Sequence, residues 1–202
     1  MRSYSNINEK YVFADSSFYI CFINELGQPD CYNFLNYYTF ALGCKVFNEI
    51  QDQIAENIYE KIFICPNDNY NYDVLIAPLL TNKEKNRKKG EFEIIGLSLY
   101  YLNFEQVKYI IIDDKKAKKF AKKYFPELTE YITGTIGLIK YCSHDGFISP
   151  RTSISILKDI EHTIENHAES PGDFICSLGK RNYKNIINKV IEELMEGNND
   201  RI

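Results

Sequence analysis

The run Tyr109-Ile110-Ile111-Ile112 is apolar without a break and stops at Asp113-Asp114. It gives way at once to residues 115–124, where Ala117, Phe120, Ala121 and Tyr124 recur at i, i+3, i+4 and i+7. A strand with no polar alternation is covered on both faces, which is the situation of a strand inside a parallel sheet. The helix after it carries one apolar stripe, which packs on the sheet and leaves six lysines facing water. The same order of events opens the chain. Tyr11-Val12-Phe13-Ala14 ends at Asp15-Ser16-Ser17, and Phe18, Cys21 and Phe22 then fall at helical spacing until Gly27 and Pro29. Strand, acid and helix in repeated order predict a parallel α/β sheet with helices on both faces. Ligands of such sheets bind beyond the carboxyl ends of the strands, so Asp15 and Asp113-Asp114 stand where a site is expected.

Between these landmarks the spacing predicts a helix over 30–38, a short strand or turn at Phe40-Ala41-Leu42-Gly43, and one amphipathic helix from Cys44 to Ile58. In that helix Val46, Ile50, Ile54 and Ile58 repeat every four residues. A strand follows at 61–65, then an Asn/Tyr-rich loop at 67–72 and a short helix at 73–80 broken by Pro78. The charge run Lys83 to Lys89 ends at Gly90, and Glu91-Phe92-Glu93 opens a helix whose first-turn acids suit its macrodipole. Downstream, Tyr131-Ile132-Thr133 reads as a strand, Gly134-Thr135-Ile136-Gly137 as the turn into a helix, and Ser149-Pro150 as the cap and first turn of another. The domain is expected over 1–168, and 169–202 forms a C-terminal helical extension after Ser170-Pro171-Gly172. Its last helix, 182–195, either docks back on the domain or serves a homodimer or partner protein.

Composition removes several classes. With 28 acidic against 24 basic residues the net charge is −4, which excludes a protein that holds nucleic acid by bulk charge. Only 10 glycines and 6 prolines fall below the usual combined share of about 12%, against a disordered or fibrous chain. No apolar run approaches the roughly 20 residues of a membrane helix, and the N-terminus reaches Glu9 before any apolar core, unlike a secretion signal. Six cysteines without a C-x-x-C pair are expected to be free thiols of a reducing cytoplasm. Cys142-x-His144 lacks the further partners that a zinc site needs.

Carboxylates gathered at one sheet edge repel each other. The gathering makes sense if Mg²⁺ or Mn²⁺ neutralises them, since hard divalent cations prefer oxygen ligands. Such a site activates water for attack on a phosphodiester. The competing reading makes Asp15 and Asp113-Asp114 strand-end and helix-capping residues.

Five segments taken together resemble the PIN-domain family: Val12-Phe13-Ala14-Asp15-Ser16-Ser17, Lys45-Val46-Phe47-Asn48-Glu49-Ile50, Gly90-Glu91-Phe92-Glu93-Ile94-Ile95, Ile111-Ile112-Asp113-Asp114-Lys115-Lys116-Ala117 and Thr133-Gly134-Thr135-Ile136-Gly137-Leu138. They are similar to the branch with GExEAI, IDD-x-x-A and GTxG segments, over about Tyr11 to Ile164. The resemblance implies a three-layer α/β/α sandwich and a Mg²⁺- or Mn²⁺-dependent endoribonuclease, in some members the toxin of a toxin–antitoxin pair. Carried over by motif, the acids are Asp15, Glu49, Glu91 or Glu93, and Asp113, with Asp114 assisting or capping the next helix. Ser16 or Ser17 is the neighbouring hydroxyl. Positions two apart on a helix point about 200° away from each other, so Glu91 and Glu93 cannot both reach one metal from a regular helix; Glu91 is preferred.

Lys88, Lys89, Lys115 and Thr135 are the candidate substrate contacts beside this edge, with Tyr70, Tyr72 and Tyr101 as candidates to stack on unpaired bases. Phe92 and Ile94-Ile95 replace the small residues usual after the third acid, and the span from Gln51 to Lys89 is longer than compact relatives require. The alternative is a PIN-like scaffold without catalysis, serving as a regulatory or assembly module that binds RNA or a protein partner.

Overall fold

The computed structural model of the chain describes residues 9–25, 29–66, 72–82, 89–167 and 183–199. Five short strands, β1 (Tyr11–Ala14), β2 (Thr39–Leu42), β3 (Ile62–Ile64), β4 (Val107–Ile111) and β5 (Ile132–Thr133), form a sheet in the order β3-β2-β1-β4-β5. Every neighbouring pair is parallel. The helices are α1 (Pro29–Tyr37), α2 (Cys44–Ile50), α3 (Glu56–Tyr59), α4 (Tyr72–Leu75), α5 (Lys89–Leu102), α6 (Lys115–Tyr124), α7 (Thr135–His144), α8 (Pro150–His167) and α9 (Tyr183–Asn199). A π-wound segment, Phe18–Glu25, precedes α1.

Side-chain alternation along β1 separates the two outer layers. Tyr11 and Phe13 point to one face, where the Tyr101 ring of α5 lies 5.5 and 5.3 Å from theirs. Val12 points to the other face with its register partners Phe40 and Tyr109. There Phe40 stacks on Phe18 at 5.2 Å and Tyr109 stacks on Tyr141 of α7 at 4.7 Å. The result is the three-layer α/β/α sandwich with a central parallel sheet. The chain runs outward from β1 to β2 and β3, then returns to β4 on the other side of β1. The crevice at the carboxyl ends of β1 and β4 is therefore the switch point at which open α/β sheets place ligands.

The expected helix over Cys44–Ile58 is in fact two, α2 and α3, joined by turns through Gln51, Asp52 and Gln53 and by Ala55 in an extended conformation (φ −60°, ψ 142°). The reason lies in the repeat itself. Residues four apart drift about 40° per step around a straight helix, so four of them spread over about 120°. Breaking the helix lets Val46, Ile50, Ile54 and Ile58 all be buried. Strand β4 starts earlier than expected because Val107 pairs with Tyr11, and Ile112 continues the ladder by donating its N–H to Thr133 O at 3.1 Å.

Helix α9 packs on α7 and α8, burying Ile187, Val190 and Leu194 in the same core as β1. Lys140 bridges Glu193 at 2.9 Å and Lys184 bridges Glu165 at 3.0 Å. Its buried apolar side chains are thus taken up within the chain, which is the first of the two roles expected of it. Among the described residues no helix is long and apolar enough to cross a membrane. Cys44, Cys65 and Cys142 form no disulfide among the described residues.

Candidate functional site

Asp15 follows β1 directly and its N–H still donates to Ile111 O at 3.1 Å, so the carboxylate is carried by the last rung of the β1/β4 ladder. The residue is fully buried, at 0% exposure. Its oxygens accept from two backbone N–H groups, Phe18 at 3.2 Å and Asp113 at 3.4 Å. Burial, then the charges of Asp113 and Glu91, push the Asp15 carboxyl well above its ordinary range, and the two N–H groups offset only part of this. Three acids from three elements, the ends of β1 and β4 and the first turn of α5, therefore act on one another at the switch point.

Asp113 is held from the far side. Thr135, at 1% exposure, donates its N–H to both carboxylate oxygens at 3.1 and 3.3 Å and its hydroxyl to Oδ2 at 2.6 Å. This orients Asp113 on the N-terminus of α7. Gly134 makes the approach possible, since a Cβ there would lie 2.5 Å from Asp113 Oδ1 and 3.2 Å from Lys118 Nζ. Thr135, a candidate substrate contact by sequence, spends its hydroxyl on positioning an acid here.

The other acids are placed differently. Glu93 is buried and accepts from the N–H groups of Lys45 (2.9 and 3.1 Å) and Val46 (3.0 Å), supplying the cap that Gly43 cannot. Burial raises the Glu93 carboxyl, and the Val46 and Lys45 N–H groups lower it without cancelling the rise. Glu49, exposed on α2, reaches back to the start of α5, where a Cβ on Gly90 would lie 2.6 Å from its Oε2. Helices α2 and α5 thus exchange carboxylates at their N-termini, and Glu49 and Glu93 repel each other. Asp114 caps α6, accepting from Lys116 N and Ala117 N at 2.8 Å each. Asp114 thus takes the capping role, one of the two expected of it, and Glu93, the less preferred candidate for the third acid, caps α2.

Ser16 and Ser17 are half-buried in the turn after Asp15, and Lys115 is exposed at the start of α6. Lys88, the charge run before it and Tyr70 lie outside the described residues, as do the side chains of Lys89 and Tyr72. Tyr101, expected to stack on bases, is buried against Tyr11 and Phe13.

Tyr19 is a further candidate, one that the sequence does not single out. Its hydroxyl is buried without a hydrogen-bond partner among the described residues, and burial, then Cys65 and Asp15, keep the phenol protonated far above its ordinary range. An O–H donor without an acceptor near a buried carboxylate leaves hydrogen-bonding capacity for a ligand. Nothing in the spacing of aromatic residues distinguishes it from the core tyrosines.

The oxygen donors at the switch point are the kind that hard divalent cations choose, and the mutual repulsion that burdens Asp15 is what such a cation relieves. The spacing is less favourable: among the described residues no three His, Cys, Asp or Glu side chains form a group that could hold a metal ion. The donor chemistry and charge fit Mg²⁺ or Mn²⁺, and the present side-chain positions do not close around one. No family model matches the chain, and no curated protein or solved structure matches it either.

Proposed function

We propose that this chain is a divergent PIN-type endoribonuclease that works with Mg²⁺ or Mn²⁺. The observation that carries the reading is Asp15, a fully buried carboxylate at the switch point whose ionisation Asp113 and Glu91 oppose. A chain keeps such an arrangement at a cost in stability, and a cation among Asp15, Asp113 and Glu91, with Glu49 beside Gly90, removes that cost. When bound, the cation supplies Lewis acidity toward a phosphodiester and its leaving oxygen. The residues of the chain do the rest. The N–H groups of Phe18 and Asp113 fix the Asp15 carboxylate, Thr135 fixes Asp113, and Lys118, which shares Gly134 with Asp113, supplies positive charge for a phosphate. A toxin role with a cognate antitoxin belongs to the same proposal.

Purified chain incubated with single-stranded RNA is expected to cut it only with Mn²⁺ or Mg²⁺, and Mn²⁺ should raise the Tm. In Asp15→Asn both effects should vanish, while its Tm in EDTA should equal or exceed that of the wild type because a repelled buried charge is gone. Undiminished cleavage in Asp15→Asn would sink the assignment. A second reading is a PIN-like module without catalysis, since among the described residues Asp15, Asp113 and Glu91 do not close into a metal-holding group. It predicts no Tm response to either cation.

A further inference from the structure

Helix α6 carries six lysines in ten residues, Lys115, Lys116, Lys118, Lys119, Lys122 and Lys123, and no acid. At 100° per residue they fall on an arc of about 160°, opposite the buried Ala117, Phe120 and Ala121. All but the half-buried Lys118 are exposed. Among the described residues none of the six is in a salt bridge, although acids outnumber bases in the chain and Lys108, Lys140 and Lys184 each pair with an acid.

This pattern is unfavourable for the helix itself. Like charges stand at i, i+4 in Lys115/Lys119, Lys118/Lys122 and Lys119/Lys123, and two cations occupy the first turn, where the macrodipole opposes them. A solvated face needs polar residues, and alternating signs would serve it better. A uniform row serves a polyanion. The row also has a fixed starting point: Asp114 caps the helix, Asp113 precedes it, and Lys118 Nζ approaches the Gly134 turn that holds Asp113.

We propose that the lysine face of α6 is a track for the phosphates of a single-stranded nucleic acid, leading the strand to the carboxylates at the end of β4. The proposal rests on the nuclease reading for where the track leads, and on α6 alone for what it binds. Ten residues give a helix about 15 Å long, which spans about four phosphates of a stacked strand that rises about 3.4 Å per nucleotide. An anionic membrane fits less well, because the lysine arc carries no apolar residue to insert.

The test measures binding of a fluorescein-labelled oligonucleotide of about 15 nucleotides, as RNA and as DNA, to the full chain by anisotropy. EDTA is present throughout, so cleavage plays no part. Affinity should fall with salt at a log–log slope of about −3, as about four contacts on a single strand require. The triple variant Lys116→Glu/Lys119→Glu/Lys123→Glu should bind roughly tenfold or more weakly at about 50 mM salt, with a shallower slope. Arg151→Glu/Lys158→Glu/Lys189→Glu, which changes the net charge equally on exposed positions of α8 and α9, should bind nearly as the wild type does. Lys116→Ala/Lys119→Ala/Lys123→Ala, which suits a helix better than lysine repulsion, covers the case in which the glutamate variant fails to fold and should show the same direction of loss.

Equal loss in track and control variants would overturn the proposal, as would a salt slope near zero. So would wild-type binding to phosphatidylserine vesicles with none to either oligonucleotide. Track-dependent binding by a chain that never cuts RNA with Mn²⁺ upholds the track and rejects the nuclease. Cleavage with unaltered binding in the track variants does the reverse.

Discussion

At the scale of single residues, the chain uses carboxylates in two electrostatic regimes. Asp15 is buried among like charges, whereas Asp145, at the end of α7, gathers donors. Tyr38 and Tyr109 give it hydroxyl hydrogen bonds at 2.8 and 3.4 Å and Lys108 an ion pair at 3.2 Å. Partial burial alone would raise the Asp145 carboxyl, but the hydrogen bonds from Tyr38 and Lys108, with the Lys108 charge and Tyr109, outweigh it and hold it below its ordinary value. These bonds tie the residue before β2 and the middle of β4 to the end of α7, under the stacked pairs Tyr109–Tyr141 and Tyr37–Phe147. A carboxyl with a lowered folded pKa contributes stability above its unfolded pKa and loses it as pH falls through the folded one. Asp145→Asn is therefore expected to cost about 1 kcal/mol near neutral pH, discounted for its partial exposure. The difference from wild type should narrow below about pH 4, where the unfolded carboxyl protonates. Urea unfolding at a series of pH values checks this, and a penalty that stays constant into acid would show that charge plays no part.

At the scale of elements, the exchange between α2 and α5 decides which acids reach the switch point. Helical geometry alone says that Glu91 and Glu93 diverge. Which of them turns toward Asp15 depends on what waits on the other side, and that partner is the N-terminus of α2, left uncapped by Gly43 and 48 residues away in sequence. No local pattern carries such information. By contrast, Asp15 and Asp113 were legible, because an apolar run that stops at an acid marks a strand end whatever the tertiary contacts. The cap role of Glu93 has a direct consequence. Glu93→Gln keeps an oxygen acceptor for Lys45 and Val46 and should lose well under half of what Glu93→Ala loses; the latter should cost about 1–2 kcal/mol as a missing helix cap. Neither should abolish a Mn²⁺-induced rise in Tm, whereas Glu91→Gln should. If Glu93→Gln removes the metal response and Glu91→Gln leaves it, the third acid has been assigned to the wrong face of α5.

At the scale of the whole molecule, the strand and helix order was readable because each buried strand and each amphipathic helix reports its own environment. The split of Cys44–Ile58 into α2 and α3 was not, since a four-residue repeat is compatible with one helix until the sheet demands that all four side chains be covered. Nor could periodicity decide whether α9 faces this chain or another, because an apolar stripe looks the same against either. The structure sets Ile187, Val190 and Leu194 on α7 and α8, with Lys140–Glu193 and Lys184–Glu165 at the margins. Exposed pairs of this kind contribute little, so the buried side chains hold α9 in place. Leu194→Ala removes a side chain that is 4% exposed and should cost about 2–4 kcal/mol, a fall in Tm of roughly 5–15 °C for a chain of this size. Glu193→Ala should shift Tm by only about 1–3 °C. An intermolecular α9 gives a different pattern: the Tm of the wild type would rise with protein concentration, and Leu194→Asp would yield a folded monomer from a dimer in sedimentation velocity. With α9 docked in its own chain, the wild-type Tm is independent of concentration, and Leu194→Asp loses cooperative unfolding of α7, α8 and α9 together.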